Sequence, residues 1–203
     1  ELLKMRKIGF LLLSILLSVS LVGCGQKSLT SDDSSNESQK QDESKELLPY
    51  TYNVPLRNIY VDVPNYQEIE QGYTRVFIVH EKKYVTFTSV LNAQATDAKD
   101  AYNKSFDTFR ICMQNYESGP KSFNIVTDQT MTINGIDVYY FEGTIRYGEE
   151  NPYDTYGIGY SFIMDGIPCA IIGSVTDKDQ PEELKEEIKA VVNAMMLSVR
   201  SEM

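Results

Sequence analysis

The sequence predicts an α+β fold: a twisted antiparallel sheet, largely a meander, with two main helices packed on it. Three observations lead there. Asn134-Gly135 and Asp165-Gly166 each separate two runs rich in β-branched and aromatic residues. Such dipeptides supply the positive φ angles of a tight hairpin turn. Two other segments, after Asp97 and after Gln180, repeat apolar residues at three- and four-residue steps, the period of a helix buried on one side. Finally, residues 47–203 suit one domain, and no internal repeat divides them.

Taken in order, Asn58 to Val63 reads as a strand ended by Pro64. Thr74 to His80 and Tyr84 to Val90 follow as short β-rich runs around the polar turn Glu81-Lys82-Lys83. Asp97 can cap a helix, 97–117, whose apolar residues are Ala98, Ala101, Tyr102, Phe106, Phe109, Met113 and Tyr116. Gly119-Pro120 stops it. Phe123 to Ile133 and Ile136 to Tyr147 form the first hairpin, and Tyr156 to Met164 and Ile167 to Val175 the second. The last helix starts at Asp179 or Gln180, with Pro181 in its first turn and Glu182-Glu183 favourable to its dipole. Leu184, Ile188, Val191, Val192 and Met195 make its apolar stripe, while Lys185, Glu186, Lys189 and Asn193 face water.

The amino-terminal part has another character. Met5-Arg6-Lys7 is a short basic start, Ile8 to Val22 is nearly all apolar, and Leu21-Val22-Gly23-Cys24 closes the run. This is the layout of an export signal, 1–23, and its last four residues resemble the lipobox of bacterial lipoproteins. The resemblance implies cleavage before Cys24 and attachment of acyl chains, palmitate among them, to that residue. A transmembrane helix is the rival reading, but the run is shorter than the roughly 20 residues a span needs. Residues 1–4, which precede the Met, are expected to lie outside the natural start. Residues 24–46 then carry the lipidated cysteine and a polar tract that cannot bury enough surface to order itself, so a disordered linker is expected. The expected location is the outer face of a bacterial cytoplasmic membrane, anchored by lipid.

The chain carries a formal net charge of −10, and cleavage makes it more negative, because Lys4, Arg6 and Lys7 leave against Glu1 alone. With no Lys/Arg cluster, nucleic acid is an unsuitable partner. Of three cysteines, Cys112 and Cys169 remain beside Cys24. An exported pair admits a disulfide, whereas their apolar surroundings suit two buried thiols, which is the expectation.

The order of short strands, long amphipathic helix, meander and closing helix resembles the PsbP-like superfamily of α/β/α sandwiches, including bacterial lipoproteins of the DcrB type. The echoes are Thr132-Ile133-Asn134-Gly135-Ile136, Tyr160-Ser161-Phe162, Asp165-Gly166, and the final helix from Ile188 to Met195-Met196-Leu197-Ser198-Val199. The chain departs from its relatives in having no Trp after the first strand. The resemblance implies an α/β/α sandwich that works by binding proteins or supporting an assembly, and it brings no catalytic motif.

The residues point the same way. His80 is the only histidine, so no site needing two imidazoles can form. There is no Gly-x-Ser-x-Gly elbow and no dinucleotide fingerprint. Gly157 and Gly159 alternate in a strand, where another backbone or an aromatic ring should pack close. The stretch from Tyr147 to Tyr156 reads as a loop longer than a tight hairpin, and Tyr147, Glu149, Glu150, Tyr153, Asp154 and Tyr156 on it form the candidate interaction surface. Its carboxylates could also ligate calcium, but the spacing fits no EF-hand. No cofactor or metal is expected. The expected function is therefore a lipid-anchored, non-catalytic binding or assembly protein of the cell envelope, whose partner is another envelope protein. The alternative is a small-ligand or metal-binding lipoprotein with a pocket between the sheet and helix 97–117, using Asn92, Arg110 and Asn115. A hydrolase comes third.

Overall fold

The computed structural model of the chain describes residues 47–64, 69–71, 74–80, 82–113, 119–148, 152–177 and 179–201. The signal and linker read above, Cys24 included, lie outside the described residues. The elements are β1 Tyr50–Asn53, β2 Tyr60–Val63, β3 Ile69–Gln71, β4 Thr74–His80, β5 Lys83–Ser89, α1 Ala98–Cys112, β6 Pro120–Ile133, β7 Ile136–Tyr147, β8 Tyr153–Met164, β9 Ile167–Val175 and α2 Glu182–Ser198. β1 and β2 pair with each other. The other strands form one sheet in the order β3-β4-β5-β9-β8-β7-β6, antiparallel at every step. β6 to β9 are the expected meander, and β9 closes it against β5.

Both helices lie on the sheet, one on each face, so the architecture is an α/β/α sandwich of the α+β class. The alternation of side chains along each strand sorts the core. Phe87, Val138, Ile158, Phe162, Cys169 and Ile171 face α2, meeting Ile188, Val191, Val192 and Met195 together with Val54, Ile59 and Val61 of the β1–β2 hairpin. Tyr139, Phe141, Ile145, Tyr147, Ala170 and Ile172 face α1, meeting Phe106 and Phe109. β9 is buried along its whole length.

α1 starts where its cap dictates: Asp97 is extended, and its carboxylate accepts the Asp100 N–H at 2.8 Å. α2 differs slightly from the expectation. It begins at Glu182, with Pro181 as an N-cap that offers no side-chain bond. Two strands, β1 and β3, have no counterpart in the sequence reading, and β6 begins at Pro120 rather than Phe123. α1 ends at Cys112 with Met113 as its C-cap. Its expected continuation through Tyr116 lies outside the described residues.

Cys169 is fully buried on the α2 face, where burial pushes its thiol pKa well up. Cys112 is half-buried at the end of α1, on the other side of the sheet, and both are free thiols. The sheet between them excludes a disulfide, and only one of the two is the buried thiol expected.

The glycines of β8 and β9 set how closely the layers approach. A Cβ on Gly159 would sit 2.5 Å from the Ile171 carbonyl oxygen and 2.6 Å from the Phe141 ring, and one on Gly157 would sit 2.6 Å from Ile145. The close packing read from these two glycines is thus an aromatic ring, an aliphatic side chain and a backbone carbonyl. One on Gly173 would strike Val192 of α2 at 2.6 Å. Gly159→Ala should therefore cost roughly 2–3 kcal/mol by overpacking, read as a lower urea midpoint at unchanged slope, whereas Ser122→Ala on the exposed edge should leave the midpoint in place.

Candidate functional site

The link between β7 and β8 is shorter than the sequence suggested. Tyr147 pairs with Tyr153 across the two strands, and the pairing continues through Arg146 with Asp154 and Ile145 with Thr155. Only residues 148–152 connect them, so the expected 147–156 loop is corrected. The physical reason is burial on one side of this extension. Thr155 is 1% exposed, its hydroxyl 2.9 Å from that of Ser174 and 3.4 Å from the Ile145 carbonyl. Strand pairing satisfies this buried backbone as a loop would not.

Because neighbours in a strand face opposite ways, the candidate set divides between the two faces. Tyr147 and Tyr153 turn toward α1, with rings stacked at 5.6 Å and Tyr84 edge-on to Tyr147 at 6.5 Å. Tyr147 is 3% exposed, and its hydroxyl has no hydrogen-bond partner of good geometry; burial pushes its pKa well above the usual phenol value. These two tyrosines are core before they are surface. Asp154 and Tyr156 turn toward α2. Glu149, Glu150 and Asn151 lie outside the described residues.

On the α2 face the structure assembles a cluster centred on Glu142, which the sequence reading missed. Tyr156 donates to Glu142 Oε1 at 2.9 Å, Tyr140 donates to Oε2, and Lys189 Nζ of α2 stands 3.7 Å from Oε2. Lys185 Nζ lies 5.7 Å from the centre of the Tyr156 ring, and Tyr160 donates to Asn193 at 2.9 Å. Burial alone would raise the Glu142 pKa. The two hydroxyls and Lys189 outweigh it and hold the carboxyl below its ordinary range. Burial, then the bonded carboxylate, pushes both tyrosines up. At neutral pH the cluster is therefore one carboxylate with neutral phenols and a lysine, a satisfied arrangement that seats α2 rather than a nucleophile or general acid. The signal was present as a single charge inside the apolar run from Val138 to Ile145.

Lys83 was also missed. It is 6% exposed at the start of β5, where Glu187 of α2 pairs with it. Burial lowers its pKa, with Glu183 opposing.

Beyond α2, the same face of β6, β7 and β8 is open. Ser122, Asn124, Thr144, Arg146 and Asp154 line a polar cup of about 270 Å³ there. Arg146 and Asp154 are 3.5 Å apart and each about half exposed. A larger open groove, about 750 Å³, lies at the opposite end of the strands, beside the two hairpin turns and the start of α1.

The pocket expected between sheet and helix 97–117 is filled. Tyr102 packs on Phe106 at 5.7 Å and on Phe141 at 4.6 Å, and Phe123 closes on Phe106 at 6.0 Å. Arg110 points outward to Asp107, Asn92 is exposed, and Asn115 lies outside the described residues. These polar groups do not converge, because the aromatic side chains that make the helix one-sided also occupy the space under it. His80 ends β4 opposite Lys83. Among the described residues, no group of three or more His, Cys, Asp or Glu is arranged to hold a metal ion.

Glu142→Gln should cost about 1.5–3 kcal/mol at pH 7, the scale of hydrogen bonds to a charged acceptor. A carboxyl whose pKa is lowered by folding contributes stability above its unfolded pKa and loses it as pH falls through the folded value. Urea midpoints should therefore drop as pH falls below roughly 5 in the parent chain, by more than in Glu142→Gln.

No protein-family model matches the chain, and no curated protein matches it in sequence. Among solved structures it is similar to cyanobacterial PsbP (CyanoP) from Synechocystis sp. PCC 6803, at 11% identity over 74% of this chain and 91% of that one, with a TM-score of 0.48. It is also similar to PA94 from Pseudomonas aeruginosa, a protein of unknown function described as a putative regulator, at 10% identity over 73% of this chain and 94% of that one, TM-score 0.41. A protein of Bacteroides thetaiotaomicron VPI-5482 shares 15% identity over 71% of this chain and 45% of that one, TM-score 0.36. At these values the likenesses carry no function across, and the fold stands on the chain's own strand register and packing.

Proposed function

We propose that the chain is a lipid-anchored binding or assembly protein of the bacterial cell envelope, without catalytic activity, built on a PsbP-like sandwich. The single observation that carries the binding role is the polar cup at the β7–β8 end, where Arg146 and Asp154 stand half exposed on rigid strands. Sites held by strands keep their geometry better than sites on loops, and a rim of paired charge suits a protein partner by steering and register. The element order supports the PsbP-like part of the reading. The anchor rests on Leu21-Val22-Gly23-Cys24 and the polar tract after it. Among the described residues, no helix is long and apolar enough to cross a membrane.

The partner surface moves relative to the sequence expectation. Asp154 stays in it, Arg146 and Asn124 join it, and Tyr147 and Tyr153 serve mainly to hold the strand ends together.

Two measurements test the proposal. Cys24→Ser should shift the protein from the membrane fraction to the soluble fraction and abolish incorporation of labelled palmitate; retention and labelling unchanged would refute the anchor. Arg146→Ala with Asp154→Ala should leave stability within about 1 kcal/mol, as for exposed ion pairs, while reducing recovery of a partner crosslinked on intact cells several-fold. Undiminished recovery would remove the cup from the interface.

A further inference from the structure

The two edges of the sheet are unequal. One edge is β3, with 3 residues; the other is β6, with 14. Natural sheets blunt a long edge with charges, proline, bulges or a covering element, because its outward N–H and C=O groups are a template for another strand. β6 has these devices mainly in its first half. Pro120 and Lys121 stand at its start, and register shifts fall between Pro120 and Ser122 and between Ile125 and Thr127. From Thr127 to Ile133 the register is regular, Asp128 is the one charge, and no described element pairs with the outer edge.

Which groups face outward follows from the turn. Asn134 and Gly135 have φ of 50° and 78°, so the turn is of the I′ kind and Ile133 and Ile136 form its hydrogen-bonded flanking pair. Alternation then turns the N–H and C=O of Thr132, Thr130 and Asp128 away from β7.

The two sides of this half-strand differ. On the α1 side stand Asp128, Thr130 and Thr132. Thr132 donates to Asp137 at 2.9 Å, and Asp128 accepts from Tyr139 at 2.8 Å and pairs with Lys99 of α1 at 3.4 Å. This leaves Asp137 with Asp97 and Asp165 as the carboxylates open to a basic strand. The groove of about 750 Å³ beside them carries Asp97, Asp137 and Asp165 among apolar residues that include Ile136, Ile163 and Met164. On the α2 side Met131 and Ile133 are half-buried, and Ile136, Met164 and the exposed Leu197 line an adjoining groove of about 680 Å³.

We propose that the Thr127–Ile133 edge of β6 receives an extended segment of a partner protein as an added strand, with basic residues toward α1 alternating with apolar residues toward α2. Backbone pairing supplies the affinity, and the acidic and apolar grooves supply the choice of sequence. A second copy of this chain fits poorly, since it would bring the same carboxylates to the acidic side of a protein already at −10. This edge lies at the end of the strands opposite the Arg146–Asp154 cup, so its fate is independent of that reading.

The test uses the intact chain and a capped heptapeptide of alternating lysine and valine. Fluorescence anisotropy should show saturable binding, and amide exchange should slow at least tenfold at Asp128, Thr130 and Thr132 but not at Gln129 or Met131. Thr130→Pro removes an outward N–H without touching the β6–β7 bonds, and Thr130→Lys places a charge on the edge. Each should weaken binding at least tenfold, and a glutamate–valine peptide should not bind. No saturable binding, protection absent from those three amides, affinity in either variant equal to that of the parent chain, or equal binding of the acidic peptide would each overturn the proposal. So would a concentration-dependent dimer in sedimentation that Thr130→Pro abolishes, which would give the edge to a second copy.

Discussion

The structure depends on β9 being buried on both faces. All nine of its residues are inside, so every polar group on it must be satisfied within the protein and every side chain must fit a neighbour. Its backbone is shared between β5 and β8. Its odd-numbered residues carry the α2 layer and its even-numbered residues the α1 layer. Gly173 is required where Ile188 and Val192 of α2 come down onto the strand. Ser174, pointing the other way, is acceptable in the interior because its hydroxyl meets Thr155 and the Tyr156 carbonyl. Around this strand the two helices, the β1–β2 hairpin and the flanking strands find their places.

The polar groups next to that core act as positional constraints more than as chemistry. Glu142 on β7 and Lys83 on β5, to either side of β9, each meet a charged residue of α2 (Lys189 and Glu187), so the helix is held at two points of opposite sign. Half-buried pairs of this kind add modest net stability but penalise a shifted helix strongly, because one partner would be left unpaired. The carboxy-terminal residues are held similarly. Arg200 bonds Asp62 at 2.9 Å, and its backbone pairs with Tyr60, closing the β1–β2 hairpin over the α2 face.

Much of the fold was legible from the sequence because the decisive signals are local. Asn134-Gly135 and Asp165-Gly166 specify their turns through positive φ, and Asp97 specifies a helix start through one side chain. The misses have nonlocal causes. β1 is only 4 residues long and mostly exposed, and β3 has 3 residues, so neither is long enough to carry a strand pattern, and each is a strand only because of the chain beside it. Tyr153 and Asp154 look like loop residues after Pro152, yet Tyr147 and Arg146 across the ladder make them strand. The candidate surface was harder still. A stretch of tyrosines and carboxylates in sequence becomes two separate sets once the strand alternates, and of the partners of Glu142 only Tyr140 is local, Tyr156 coming from β8 and Lys189 from α2. The polar cup and the open edge of β6 are products of topology, which no residue pattern announces.

The claim that two-sided burial of β9 organises the molecule can be read directly by native-state amide exchange under increasing urea. Amides of β9 should exchange only through global unfolding, with the full denaturant dependence of the chain. Those of the β1–β2 hairpin and the outward groups of β6 should exchange earlier, through local opening. If the β9 amides opened locally as readily as those of β1 and β2, the strand would not be the element on which the sandwich rests.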